Sequence, residues 1–295
     1  MPPLAPAENM TLATAALLCA SLANCVGFEQ QTPSPTANVS VPTTLVNATA
    51  AHGGSCSLHL KHYSLRSDPL RPAFHFAPSE GHYMNDPNGP MHYNGVYHLF
   101  YQYNPSCDTP LCAREWGHAV SSDMVAWVEL GIALNTTAFG ACGGVWSGSA
   151  SPNAPVGGLP PRPLLTYSVQ CNSYLAQAEP LNSSDPYLRR WARPAHNGTL
   201  PVIRKPHGTG GFRDPSEPWQ GKDSAWRILA ACNGGACQWI SHDAMLTWSF
   251  IGYAAGDGHG PTWEMPDLFS LGGAGGQALV VFKTGMENVS GRRRF

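Results

Sequence analysis

Ser121-Ser122-Asp123-Met124-Val125-Ala126-Trp127 recurs, one residue longer, as Ser241-His242-Asp243-Ala244-Met245-Leu246-Thr247-Trp248. The two aspartates are 243 − 123 = 120 residues apart. If one repeat unit is a four-stranded sheet, two units fill that offset, which is the size of a propeller blade. A chance recurrence of one Asp-turn-Trp hairpin in any hairpin-rich protein is the competing explanation, and the repeat alone does not separate the two.

Outward from both copies, short apolar runs alternate with Gly, Pro, Asn and Asp. This pattern predicts strands at Val96–Tyr103, His118–Ser121, Ala126–Leu134, Val145–Ser149, Leu164–Val169, Trp226–Ala231, Gln238–Ser241, Trp248–Ile251 and Leu279–Phe282. Asn233-Gly234-Gly235-Ala236 supplies left-handed turn residues between Cys232 and Cys237. Strands 226–231 and 238–241 are therefore predicted to form a hairpin with the two cysteines facing across it.

The composition agrees with an all-β chain. Of 295 residues, 43% are hydrophobic and 12% charged, with 31 Gly and 27 Pro, which describes a soluble, turn-rich protein poor in long helices. Seventeen Lys+Arg against nineteen Asp+Glu give a net charge of −2. That balance excludes the electrostatic footprint of a nucleic-acid or anionic-membrane binder and points to a neutral molecule as partner.

The chain is expected to divide into a signal-like segment (1–25), a linker (26–69) and a β domain (70–295). Leu12 to Ala23 is apolar, too short to span a bilayer, and ends in a small-residue cleavage pattern at Ser21-Leu22-Ala23. No Lys or Arg precedes Lys61, so the positive flank of a secretory signal is lacking, and Met10 is an alternative start. The stretch that follows is rich in Thr, Pro, Ala and Ser and holds almost no charge or aromatic residue, a composition that cannot bury a core.

Sequons at Asn9, Asn38, Asn47, Asn135, Asn182, Asn197 and Asn288 fit export to the secretory pathway, whether to the medium, the wall or a vacuole. The pairs Cys107/Cys112 and Cys232/Cys237 could each close a small loop in an oxidising compartment. Zinc is the alternative for such pairs, but zinc knuckles use shorter spacing with a second ligand pair nearby. No metal or cofactor is expected.

Three carboxylates stand in unusual surroundings. Asp86 lies in Tyr83-Met84-Asn85-Asp86-Pro87-Asn88-Gly89, a strong turn former by composition. Yet the flanking His82, Tyr83, Met84 and Tyr93 suit a sugar-stacking rim better than a solvated loop. Arg213-Asp214 sits between Phe212 and Pro215, where a surface ion pair of little energetic worth is the simpler explanation. Glu264 is embedded in the apolar run Trp263-Glu264-Met265-Pro266.

Lone acids are uncommon in such apolar settings, because burying the charged form is costly. Desolvation that favours the protonated carboxyl is what a general acid needs, so Glu264 fits that role. Asp86, at a polar turn near amide and backbone donors, suits the ionised nucleophile. Two carboxyls in opposed environments are the signature of glycosidic bond cleavage.

The ordered motifs YMNDPNG, FYQYNP, WGHAVSSDMVAW, WSGSA, FRDP and WEMPD, spanning roughly Phe76 to Phe282, resemble glycoside hydrolase family 32. The resemblance implies a five-bladed β-propeller with a funnel-shaped site that cleaves β-fructofuranosides such as sucrose, inulin or levan with retained configuration. Asp86 would be the nucleophile, Glu264 the acid/base, and Asp214 a ligand of fructose hydroxyls. Arg213 would orient Asp214 and Glu264, and Asn85 and Gln102 would bond the sugar. Trp146 and Ser147 would stand beside the leaving group, while Tyr83 and Trp116 would line the pocket, Trp116 equally as core.

Four departures from the family pattern stand out. Tyr83 replaces the usual Trp, Cys107–Glu115 lacks an aromatic before the WGHA strand, and Met265 replaces the usual Cys. The fourth is length: the chain reaches only about three blades and part of a fourth, so an incomplete propeller is expected, a fragment whose funnel wall is unfinished. Fructosyl transfer, an inverting arabinan-cleaving propeller and a non-catalytic sugar-binding module are the competing functions. The sequence sets no oligomeric state.

Overall fold

A computed structural model describes residues 25–30, 43–47, 75–78, 82–105, 114–139, 144–169, 174–194, 202–272 and 278–286. Residue contacts divide the chain into two units, one of 1–81 with 121–129 and one of 82–120 with 130–295. In the first unit, β1 (Cys25–Gln30) pairs antiparallel with β2 (Thr43–Asn47), Phe28 lying opposite Leu45. The stretch expected as a linker thus contains a paired ribbon. The rest of residues 1–69, including Leu12 to Ala23, lies outside the described residues, as do Cys107 and Cys112.

Four antiparallel sheets follow in chain order. The first is β3 (Tyr83–Tyr93), β4 (Val96–Asn104), β5 (Glu115–Ser121) and β6 (Trp127–Leu134), each beside the next. The second is β7 (Trp146–Ala154), β8 (Arg162–Val169) and β9 (Tyr174–Pro180), with the short β10 (Trp191–Ala192) and β11 (Ile203–Arg204) both pairing to β9. The third runs β12 (Trp219–Gln220), β13 (Trp226–Cys232), β14 (Gly235–Ser241), β15 (Ser249–Gly256), and the fourth pairs β16 (Trp263–Gly272) with β17 (Ala278–Met286). Successive up-and-down sheets of four or so strands are the blades of a β-propeller; among the described residues there are three, the second with five strands, and two strands of a fourth.

The recurrent Ser-x-Asp segment has the same task in two of these sheets. In the first it turns β5 into β6: Ser121 Oγ accepts from the backbone N–H of Asp123 and Met124, and Asp123 Oδ1 from those of Val125 and Ala126. In the third it turns β14 into β15, with Ser241 Oγ accepting from Met245 N and Asp243 Oδ1 from Thr247 N. The copies are two sheets apart, so the 120-residue offset is two blades and not a chance echo. Trp127 is held by an edge-to-face contact with Phe76, ring centroids 6.1 Å apart.

Apolar cores are shared between neighbouring sheets. Phe100, Trp116 and Leu134 of the first sheet pack with Leu165, Tyr167 and Ala176 of the second, and Leu175 and Ile203 of the second pack with Ile228 and Trp239 of the third. The predicted hairpin is present, tightened to a two-residue turn at Asn233-Gly234, and Cys232 is disulfide-bonded to Cys237 with Cα atoms 5.9 Å apart. Strand β9 escaped the sequence because Tyr174–Ala178 is buried on both faces, so its residues do not alternate.

Candidate active site

The first strands of the sheets bring the site together. Asp86 lies on β3, Ser147 is the second residue of β7, and Glu264 is the second residue of β16. Arg213 pairs in an antiparallel bridge with Ala231 of β13 and so holds Asp214 in the corresponding place in the third sheet. Strand β3 packs against β7, and β13 against β16.

Residues 83–89 are strand, not the turn their composition predicts. The turn-forming residues are absorbed by bulges: Met84 pairs with Tyr103 and Pro87 with Tyr101, leaving Asn85 and Asp86 together opposite Gln102. A bulge of this kind re-aims side chains next to a binding site. Gly89 lets the strands approach, since a Cβ there would come 2.9 Å from that of Ala150 on β7.

Around Asp86 the polar side chains form a one-way chain. Asn85 Nδ2 donates to Gln102 Oε1 at 2.7 Å, Gln102 Nε2 donates to Ser147 Oγ at 2.5 Å, and Ser147 Oγ donates to Asp86 Oδ2. Because Ser147 already accepts from an amide, its own proton is directed at the carboxylate. The chain continues through Ser168, whose hydroxyl donates to Ser147 O at 2.9 Å and accepts from Asp214 N at 2.8 Å. Nothing in the sequence marked Ser168, which looks like any polar residue in a strand.

Asp214 is 5% exposed and Arg213 is its ion-pair partner, Nε to Oδ2 at 3.6 Å. Burial, reinforced by the negative charges of Asp86 and Glu264, lifts its carboxyl to about 7, against the opposing pull of Arg213 and of the Met265 N–H. That N–H donates to Asp214 Oδ2 at 3.3 Å. Asp214 (φ +56°) and Met265 (φ +48°) both occupy the left-handed region, an unfavourable conformation for such residues that is concentrated at functional sites.

Glu264 does not have the apolar burial expected of it. Its side chain is 42% exposed and accepts a 2.9 Å bond from Arg213 Nη2. Strand β16 bulges between Glu264 and Asp267. The buried carboxyl beside it is Asp214, 5% exposed. Trp116 also needs correction: it is 0% exposed, packs against Phe100 and Tyr167, and donates Nε1 to Trp146 O at 3.0 Å, so it is a core residue.

Tyr83, Asn85, Asp86 and Trp146 are all partly exposed. Arg114, which drew no notice in the sequence, lies over the Trp146 ring with Cζ 4.2 Å from its centroid. Among the described residues no group of three or more His, Cys, Asp or Glu is arranged to hold a metal ion. Asp214 lies within electrostatic reach of both Asp86 and Glu264, with a hydroxyl donating to Asp86 and a guanidinium to Glu264. Such a cluster suits general acid–base and nucleophilic work on a polyhydroxylated substrate.

The model of the glycosyl hydrolases family 32 N-terminal domain matches residues 75–294, and the chain belongs to that family. It is 43% identical over 170 residues to a fructan 6-exohydrolase of Triticum aestivum, covering 56% of this chain and 28% of that protein. It is 37% identical over 230 residues to the beta-fructofuranosidase insoluble isoenzyme 3 of Oryza sativa subsp. indica, covering 75% and 37% respectively. Among solved structures, a fructan 1-exohydrolase IIa variant from Cichorium intybus in complex with 1-kestose superposes with a TM-score of 0.64 at 35% identity, over 75% of this chain and 43% of that one. The chain thus spans less than half the length of each of these relatives.

Proposed function

We propose that this site hydrolyses the β-fructofuranosidic bond of sucrose or a fructan with retention of configuration. The observation that carries the proposal is the joining of Asp86, Asp214 and Glu264 through Ser147, Ser168 and Arg213. Asp86 attacks the fructosyl anomeric carbon and forms an ester as the glycosidic C–O bond breaks, while Glu264 gives its proton to the departing oxygen. Glu264 then takes a proton from water, whose oxygen displaces Asp86 and releases fructose. Arg213 stabilises Glu264 once it is anionic, and Asp214 binds fructose hydroxyls with Asn85 and Gln102.

Support comes from the relatives: the Triticum aestivum protein is a fructan 6-exohydrolase, the Oryza sativa protein a beta-fructofuranosidase, and the Cichorium intybus variant is in complex with 1-kestose. Replacing either Asp86 or Glu264 by Ala is expected to abolish release of reducing sugar from sucrose with the far-ultraviolet spectrum unchanged. Normal turnover in either variant would refute the assignment. Proton NMR of the first-formed fructose separates retention from inversion, and sugar profiling with sucrose, inulin and levan separates hydrolase, transferase and inert binder.

The same reading places the chain in the secretory pathway. The Cys232–Cys237 disulfide and the exposed sequon residues Asn135 and Asn182 support that. A mass loss on glycosidase treatment of the secreted chain checks it.

A further inference from the structure

We propose that Asn233 is a positioning residue for the reaction, holding the chain segments that carry Asp214 and Glu264 at a fixed separation through its bond to Thr262. This rests on those two carboxyls acting on a fructoside as described above. They lie 264 − 214 = 50 residues apart in sequence. Their direct links are the Arg213–Glu264 ion pair and the 3.3 Å bond from Met265 N–H to Asp214 Oδ2. The first ends on a side chain that is 42% exposed and the second is long, so neither fixes the spacing of the two backbones.

The turn Asn233-Gly234 between β13 and β14 does so. On one side Asn233 N–H donates to Gly210 O at 3.1 Å, and Ala231, two residues earlier, exchanges both backbone bonds with Arg213 at 2.8 and 3.1 Å. On the other side Gly234 N–H donates to Pro261 O at 2.8 Å, and Asn233 pairs in an antiparallel bridge with Thr262. Residues 210–213 lead into Asp214, and residues 261–263 into Glu264. The turn is therefore main chain that both arms of the site share.

One side chain joins the arms. Asn233 Oδ1 accepts from Thr262 Oγ1 at 2.7 Å, two residues before Glu264. Two glycines of the Asp214 arm make room for this bond. A Cβ on Gly211 would come 2.2 Å from Thr262 Oγ1 and 2.5 Å from Asn233 Oδ1, and one on Gly210 would come 2.4 Å from Asn233 Nδ2. The bonded pair is thus packed against the backbone of the Asp214 arm while Thr262 belongs to the Glu264 arm. Thr262 is only 9% exposed, so water has little access to replace the bond once it is removed.

The turn is itself clamped. Cys232, the neighbour of Asn233, is disulfide-bonded to Cys237 across the hairpin. Both cysteines are fully buried, in the same apolar cluster as Phe212, the residue before Arg213. The Phe212 ring lies 5.1 Å from that of Trp239 on β14. A turn tied covalently and packed on this side passes its position on to both arms instead of absorbing displacement. A misplacement of about 1 Å at the reacting groups lowers a rate on the order of a hundredfold, so a looser spacing is felt in turnover.

The test is steady-state hydrolysis of sucrose together with amide hydrogen exchange in the parent and three variants. Thr262→Val keeps the shape and removes the donor, Thr262→Ser keeps the donor, and Asn233→Ala removes the acceptor. Thr262→Val and Asn233→Ala are each expected to lower kcat about tenfold with KM within about twofold. Each is also expected to speed exchange at the Met265 N–H about tenfold while the amides of β7, β8 and β9 keep their rates. The two changes together are expected to lose no more than either alone, and Thr262→Ser to restore kcat to within roughly threefold of the parent. A kcat within twofold of the parent in both Thr262→Val and Asn233→Ala overturns the positioning role. Faster exchange across all the strands also overturns it, because the pair would then only support the fold. A parent that leaves sucrose intact overturns the fructoside reading itself, and the role of Asn233 in turnover with it.

Discussion

Arg213 reaches from the third sheet to the fourth, where its Nη2 donates to Glu264 Oε1 at 2.9 Å, and it spans Asp214 on the way with Nε 3.6 Å from Oδ2. One guanidinium thus offsets two carboxylates that would otherwise repel each other in a partly desolvated cleft. Its planar fork is what lets a single residue serve both.

Arg213→Lys is therefore expected to fail as a conservative change. An ammonium can face Glu264 or Asp214 but cannot present donors to both in that geometry. We expect kcat/KM on sucrose to fall about a hundredfold, mostly in kcat, with thermal stability close to that of the parent. Steady-state kinetics with a parallel melting curve check this.

Asp214 makes the fold sensitive to alkali. Its carboxyl titrates at about 7 in the fold because burial disfavours the charge, against an ordinary value of 3.8. The folded state therefore holds a proton that the unfolded chain has released. The stability linked to that proton is complete below about pH 4 and is lost as pH rises through 7. Asp214→Asn is expected to raise stability at pH 8 by on the order of 2–4 kcal/mol and to change it little at pH 4, at the expense of activity. Denaturant unfolding at the two pH values decides this.

A buried histidine pair acts in the opposite sense. His98 Nδ1 and His118 Nε2 are 3.0 Å apart, and both rings stack near Phe100. Burial lowers His98 to about 4 and drives His118 well below its ordinary value, with the neighbouring imidazole adding to the latter. Folded pKa values below the unfolded ones mean stability that is complete above about pH 6.5 and is lost as pH falls through 4. Melting temperature is expected to drop over that interval, and His98→Phe is expected to flatten the drop. An equally steep acid transition in the variant would exclude the pair as its origin.

Gly148 is expected to tolerate no side chain. A Cβ there would overlap the main-chain carbonyl of Thr166 on β8, which cannot swing aside as a side chain can. Gly148→Ala should destabilise by about 2–4 kcal/mol, as overpacking against backbone does, and should disturb Ser147 enough to remove activity. Chemical denaturation of the variant measures the first effect and turnover of sucrose the second.

Local pattern in the chain was enough to define most of the strands and the turns between them. The Ser-x-Asp turns, the Asn-Gly hairpin and the apolar runs ending in Gly or Pro act through neighbours a few residues away, so their outcome is visible in the sequence. The same holds for which carboxylates stand out and for the family motifs around them. The turn reading of residues 83–89 failed because turn-forming residues also form bulges, and pairing with β4 decides between the two.

Tertiary structure decided who answers to whom. Asn85, Gln102, Ser147 and Asp86 become one directed chain only because β3, β4 and β7 lie side by side, with Gln102 and Ser147 45 residues apart in sequence. Burial likewise went to Asp214 rather than to Glu264, and Trp116 went to the core rather than to the pocket. The number of apolar residues beside a side chain in sequence does not fix its dielectric surroundings. Those depend on which distant strands close over it, and long-range packing alone supplies them.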